Sequence, residues 1–362
     1  MPPNPLAVAV LSVALLTGSA PAPDSVDTRL ERRIPELMER AGIPGLSAAL
    51  VKDGRVTWTG AFGVRSRETG DPVTDETVFQ AASLSKPVFA YVALRLAERG
   101  VLDLDRPLHA YRPNPRMDHA PRTRRITARM VLSHTTGLPN WGGDTLELFF
   151  DPGTAFRYSG EGYVYLQSVV ESLTGLGLAE LARREVFGPL GMTRTGYVWE
   201  ERFGGDATVG HDDEGEAGGL ERPGEPNAAA SLLTTAGDYA RFLAAVLEGR
   251  GLGPRSRRAT ATPQISAGKG PFIGDASHPR IAWSLGWGLL RGGEAPSLWH
   301  WGDNGDFKAF VAGIPDGGTG VVYFANSSDG LAIAESLVRE ALGIDHPGPD
   351  WAGYEAYDDP RS

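Results

Sequence analysis

The sequence predicts an α+β protein whose single sheet is assembled from the two ends of the chain, with a mostly helical segment inserted between them and a cleft where the two parts meet. Three observations carry that prediction. Near the N-terminus, "GLSAALVKDGRVTWTGAFGV" reads as two strands joined at Asp53-Gly54, a strong hairpin signal. From about residue 105 to 230 the pattern is helical and loop-rich, with "YVYLQSVVESLTG" and "LAELARREVFGPLGM" as its clearest helices. Strands then return at "SLGWGLL", "SLWHWG", "KAFVAGIP" and "GVVYFANSS". An amphipathic segment at about 27–41 precedes the hairpin, and a last helix at about 331–342 precedes a polar tail. The expected division is a sheet domain over 24–105 and 230–344, a helical insertion over 106–229 and a flexible extension over 345–362.

Composition narrows the function. At 362 residues and 41% hydrophobic the chain can bury one large core or two modest ones. A formal net charge of −10 argues against a nucleic-acid partner, and the one basic cluster, "RTRRITAR", reads as a solvated face. The absence of cysteine excludes disulfides, zinc–thiolate sites, a cysteine nucleophile and lipoprotein anchoring. "LAVAVLSVALL", residues 6–16, has the length of a signal-peptide core and is too short to span a bilayer comfortably. Residues 1–22 are therefore expected to be a signal peptide, with an exported mature chain that begins near residue 21–25 and has no stable membrane span. The acidic loop "HDDEGEAGGLERPGEPN" places His211 beside two aspartates, a poor metal site that reads as a solvated turn.

The chemistry begins in "QAASLSKPVFAYVALRLAERG". Leu84, Val88, Val92 and Leu96 recur at a spacing of four and form a buried helical stripe, Gly100 ends it, and Ser83 reads as the N-cap. Residues three apart are neighbours on a helix, so Lys86 returns to the Ser83 hydroxyl and can activate it as a nucleophile. Of the four lysines, Lys269 also follows a serine by three, but Ser266 lies in a Gly- and Pro-rich stretch where no helix sets the offset. Tyr158, just before a helix in "FRYSGEGYVYLQ", is either a packed aromatic or, if the nearby cation favours its anion, a base. In "LWHWGDNGDF", His300 and Gly302 close a strand, and a glycine there permits close backbone approach to a ligand.

Five ordered blocks, "VFQAASLSKPVFAYVALRLAERGVLDLD", "ITARMVLSHTTGLP", "GTAFRYSGEGYVYLQ", "LLTTAGDYARFL" and "LWHWGDNGDFKAF", resemble the class C β-lactamase, DD-peptidase and serine esterase superfamily over about residues 30–343. The resemblance implies an antiparallel sheet with flanking helices and an inserted helical domain. It implies that Ser83 is acylated, that Lys86 is its partner in S-x-x-K, and that Tyr158 is the tyrosine of the second motif. His300, Trp301 and Gly302 match the third motif, and the backbone N–H groups of Ser83 and Asp303 would form the oxyanion hole. Two departures bear on the substrate: Gly160 stands where the second motif commonly has Asn, and His300 where the third usually has Lys. His134 in "LSHTTGLP" has a structural role by the same resemblance, and no G-x-S-x-G elbow is present. The expected activity is a serine hydrolase, an esterase or peptidase without metal or cofactor, acting on a small-molecule or peptide substrate. A true β-lactamase and a penicillin-binding envelope sensor with slow deacylation are the alternatives.

Overall fold

The computed structural model describes residues 25–268, 278–292 and 296–357; the expected signal peptide lies outside these residues. Helix α1 (Val26–Arg40) starts at Ser25, whose hydroxyl accepts the Thr28 N–H, and buries Leu30, Ile34, Leu37 and Met38. The predicted hairpin follows as β1 (Gly45–Lys52) and β2 (Arg55–Gly63). Its two turn residues, Asp53 and Gly54, have φ of 50° and 66°, the left-handed pair that a tight hairpin turn requires. Strand β3 (Phe79–Ala82) runs directly into α2 (Ser85–Glu98).

The middle of the chain supplies α3 (Ala128–Leu132), α4 (Gly160–Thr174), α5 (Leu178–Ala182) and α6 (Gly188–Leu190). Among the described residues, 106–229 add no strand to the sheet. Strand β4 (Leu232–Thr234) pairs with β3, and α7 (Ala236–Glu248) and α8 (Pro254–Ala261) follow. The sheet is completed by β5 (Ile265–Ser266), β6 (Ile281–Trp283), β7 (Gly288–Leu290), β8 (Ser297–Asp303), β9 (Lys308–Ile314) and β10 (Thr319–Ala325). Two helices, α9 (Ala334–Leu342) and α10 (Gly348–Trp351), end the described chain.

The eight-stranded sheet has the order β2-β1-β10-β9-β8-β7-β6-β5, and its pairings are antiparallel. The N-terminal hairpin thus docks on the last strand, as the distribution of strands along the sequence predicts. Both faces of the sheet are covered. Val322 and Phe324 of β10 point into the core shared with α2 and α7, whereas Val321, Tyr323 and Ala325 point into the core shared with α1 and α9. Such double coverage explains why "VVYFA" is continuously apolar rather than alternating.

Helix α2 is buried more completely than its predicted stripe. Leu84, Val88, Val92 and Leu96 are buried, but so are Phe89, Ala90, Tyr91, Ala93 and Leu94, because the helix lies inside the larger core and not on its surface. The extension after Asp345 also differs from the expectation of flexibility. Trp351 is buried, donates from Nε1 to the Ala267 carbonyl at 2.7 Å, and joins a cluster with Trp283, Trp299 and Trp301. A few aromatics in a polar segment suffice to dock it when the sheet offers an aromatic face. Among the described residues no helix is long and apolar enough to cross a membrane.

Burial also sets an acid limit. His300 and His346 are fully buried, and desolvation lowers both pKa values to about 3, against an ordinary 6.5. Between those values the unfolded chain binds protons that the native chain does not, so stability falls as pH drops from 6.5 toward 3. Each such histidine adds about 1.4 kcal/mol per pH unit to that slope. His346 Nδ1 accepts the Gly348 N–H at 3.2 Å, a bond Asn can retain. Unfolding free energies from urea titrations between pH 4 and 6 should lose one proton's worth of slope in His346→Asn; an unchanged slope would show that His346 titrates normally.

Candidate active site

Strand β3 delivers the candidate nucleophile through a strained residue. Ala82 has φ of 47°, a left-handed conformation that costs a non-glycine residue about 1–2 kcal/mol. Ser83 and Leu84 form the turn, and α2 starts at Ser85 with Leu84, not Ser83, in the N-cap position. Ser83 therefore does not cap the helix. The turn is held by other groups: the Ser85 hydroxyl donates to the Ala82 carbonyl and accepts the Leu232 N–H, and the phenols of Tyr197 and Tyr239 donate to the Ser85 and Leu84 carbonyls. Local sequence offers no signal for these two buried tyrosines, since both reach the turn from more than 100 residues away.

Ser83 is half-buried, and its hydroxyl lies 2.9 Å from Lys86 Nζ, the offset the sequence predicts. Lys86 is fully buried, and Nζ also donates to the Ala229 carbonyl at 2.8 Å. Burial holds the amine well below the ordinary lysine range, and the first turn of a helix is itself a poor place for a cation. With one N–H committed to Ala229, a neutral amine has a lone pair to offer Ser83. The Ala229 carbonyl is a functional group that sequence reasoning missed, because backbone acceptors carry no residue signature.

Tyr158 lies against the same amine, with Lys86 Nζ 4.7 Å from its ring centroid. The phenol is buried, and burial raises its pKa above the ordinary value, only partly offset by a hydrogen bond with Ser83. The ionised phenol considered from sequence is thus disfavoured in the free site, because desolvation outweighs the hydrogen bond with Ser83. His134 positions it. Its ring stacks on Tyr158 at 4.4 Å, its Nδ1 accepts the Ser159 N–H at 3.1 Å, and its carbonyl accepts the Arg157 N–H at 2.8 Å, all from a left-handed φ of 55°. Burial keeps the His134 ring neutral.

The third segment forms the end of β8. A Cβ on Gly302 would stand 2.5 Å from the Ala81 carbonyl and 3.2 Å from the Ala82 methyl, so only glycine lets β8 pass this close to the approach to Ser83. Trp301 packs 4.8 Å from Tyr158 between ring centroids. His300 is fully buried, and its Nδ1 meets the Trp301 carbonyl at 2.7 Å. That bond requires the proton on Nδ1 and leaves Nε2 as a bare acceptor on a neutral ring. Asp303 is partly exposed and pairs with Lys308 at 2.7 Å. Asn304 of the following turn donates to Gln80 Oε1 at 2.8 Å, tying the turn to β3.

Gly160 begins α4, two residues after Tyr158. A Cβ there would lie 2.7 and 2.9 Å from the Trp141 ring and 2.9 Å from the Asn140 carbonyl. The Trp141 ring thus fills the space into which a side chain at 160 would project, and it is 51% exposed. Its loop is clamped: Asn140 accepts the Gly160 N–H through both its carbonyl and Oδ1, and Arg116 pairs with buried Glu161 at 2.7 Å while holding the Gly142 and Gly143 carbonyls. His211 is not in a solvated turn. It is buried, bonded to the Asn326 carbonyl and the Arg67 N–H, while Asp212, Asp213 and Glu214 lie close together at the surface beside it.

A serine in the turn that enters a helix and a lysine three residues on in that helix's first turn, with the helix packed against an antiparallel sheet and faced by a tyrosine, define the β-lactamase and penicillin-binding class of serine-hydrolase folds. The chain belongs to the Beta-lactamase family, whose model matches residues 30–343. It is 27% identical over 341 residues to penicillin-binding protein 4 of Amycolatopsis lactamdurans, covering 86% of this chain and 88% of that one. It is 30% identical over 226 residues to esterase EstB of Burkholderia gladioli, a match spanning 53% of this chain and 56% of that one. The D-alanine carboxypeptidase AmpC of Burkholderia cenocepacia shares the fold, with a TM-score of 0.73 at 23% identity over 88% of this chain and 98% of that one. The family resemblance and the fold read from sequence are both borne out.

The contact between Gly160 and Trp141 is testable. Gly160→Ala should destabilise the protein by roughly 1–3 kcal/mol, the scale of an overpacked contact, because the Asn140 carbonyl cannot swing away. Urea denaturation measures this, and a neutral result would show that the clamped loop yields.

Proposed function

We propose that this chain hydrolyses small, uncharged carboxylic esters through an acyl-enzyme on Ser83. The observation that supports catalysis is the desolvated Lys86 amine 2.9 Å from the Ser83 hydroxyl. Lys86 takes the Ser83 proton as Oγ attacks the ester carbonyl, and the oxyanion is met by the N–H groups of Ser83 and Asp303. The C–O bond to the alcohol then breaks, and the alcohol leaves with a proton from Tyr158, which regains it from Lys86. Water repeats the sequence on the acyl-enzyme: it loses a proton to Lys86, and Ser83 departs as the hydroxyl.

Preference for esters follows from what the site does not supply. Penicillins, cephalosporins and D-alanyl peptides carry a carboxylate, and His300, fully buried with a neutral ring, brings no cation to hold one. Lys308 is committed to Asp303. At 160 there is no amide to bind an acylamide, and Trp141 presents an apolar face instead. The similarity to an esterase agrees with this reading, and that to a penicillin-binding protein and a D-alanine carboxypeptidase defines the competing substrates.

Comparing kcat/KM for p-nitrophenyl butyrate, nitrocefin and a D-alanyl-D-alanine peptide tests the substrate class. Ester turnover should exceed the other two, and His300→Lys should narrow the gap; a wild-type preference for the β-lactam would overturn the reading. A transient adduct by intact mass is expected, whereas a lasting one would favour a sensor.

The roles of the catalytic groups are tested by pH. Lys86→Ala and Tyr158→Phe should each lower turnover roughly 10²-fold or more. Since the neutral amine is the active form, kcat/KM should rise with pH through a Lys86 pKa below the ordinary lysine range, and His300, near 3, should add no limb above pH 5. A bell with a histidine-like limb near 6.5 would assign the base elsewhere.

A further inference from the structure

The C-terminal segment lies against both walls of the candidate site. Trp351 packs 5.9 Å from Phe156, two residues before Tyr158, and 5.8 Å from Trp301. Three residues further on, the half-buried Tyr354 donates its hydroxyl to Asp303 Oδ2 at 2.6 Å. Oδ1 of the same carboxylate accepts Lys308 Nζ at 2.7 Å and the Gly305 N–H at 2.9 Å. Both donors come from the β8–β9 hairpin, Gly305 from its turn and Lys308 from the start of β9. The Tyr354 bond is different in kind, because it comes from an element anchored independently through Trp351 and its bond to Ala267. The opposite side of the turn is tied to β3 by Asn304 and Gln80. Between these two ties stands the backbone of Asp303, next to Gly302, whose Cα already abuts the residues that lead into Ser83.

We propose that Tyr354 is a positioning residue of the active site: it holds the Asp303 carboxylate, and thereby the end of β8, at the depth where the Asp303 N–H meets the oxyanion formed over Ser83. The proposal rests on the reading of Ser83 as the acylated nucleophile. A charge-assisted bond from a phenol is strong and short, and its removal leaves the turn tethered on one side only. A donor displaced by a fraction of an ångström from the oxyanion binds the ground-state ester almost as well but stabilises the transition state less, so the loss falls on kcat and not on KM.

Tyr354→Phe removes one hydroxyl and leaves the packing intact. Its control is Tyr357→Phe, a change in the same segment whose hydroxyl accepts from Arg33 at 3.3 Å. The burst phase with p-nitrophenyl butyrate reports acylation. Tyr354→Phe should slow the burst about tenfold with KM within about twofold, Tyr357→Phe should match wild type, and adding Tyr354→Phe to Asp303→Ala should cause no further loss. A wild-type burst in Tyr354→Phe, or a second tenfold loss on top of Asp303→Ala, would overturn the proposal. A wild-type burst that survives Ser83→Ala would overturn the nucleophile assignment itself, and with it the role given to Tyr354.

Discussion

The desolvation of one amine is the constraint on which the site depends. A lysine in a helix interior is normally at the surface, where water keeps it charged and useless as a base. Here α2 is enclosed on nearly every side, so among the described residues the Lys86 amine meets Ser83, the Ala229 carbonyl and the aromatic faces of Tyr158 and Tyr163. The enclosure requires the helical segment on one side and the sheet on the other. The large core therefore sets the electrostatics of the site, because removing water from the amine disfavours its protonated form.

The same enclosure forces close approaches that only particular residues allow. Ala82 adopts a left-handed φ just before Ser83, His134 does so to reach Tyr158 and its two chain neighbours, and Gly302 admits β8 against the Ala81 carbonyl. Strain of this kind is tolerated where surrounding packing over-determines the geometry. Packing does so here: Tyr197 and Tyr239 hold the carbonyls of the nucleophile turn, and the aromatic cluster around Trp283 and Trp301 holds the opposite wall. Stability is spent at buried histidines for the same reason, since rings packed among aromatics stay neutral at the expense of acid tolerance.

Features that rest on neighbours in the chain were legible in the sequence. The hairpin at Asp53-Gly54 follows from turn stereochemistry, and the approach of Lys86 to Ser83 follows from the i, i+3 spacing of the turn that opens α2, where the Lys86 N–H bonds the Ser83 carbonyl. The assembly of one sheet from the two chain ends followed from where the strand patterns fall. The capping role of Ser83, the flexible tail and the solvated His211 were misread, each because the deciding partner lies far away in sequence: Leu232, Tyr197 and Tyr239 at the turn of Ser83, Trp283 and Trp299 for Trp351, Asn326 for His211.

Sequence alone thus determined the residue types and the local spacing of the candidate groups: a hydroxyl and an amine three residues apart at a helix start, a phenol before a helix, and a glycine at the end of a strand. The tertiary structure alone decided their states. How far the pKa values of Lys86 and Tyr158 are shifted, which nitrogen of His300 is bare and what holds Asp303 all depend on burial and on partners contributed by remote segments. Protonation is set by the free energy of removing water from a charge, and that quantity exists only once the chain has closed around it.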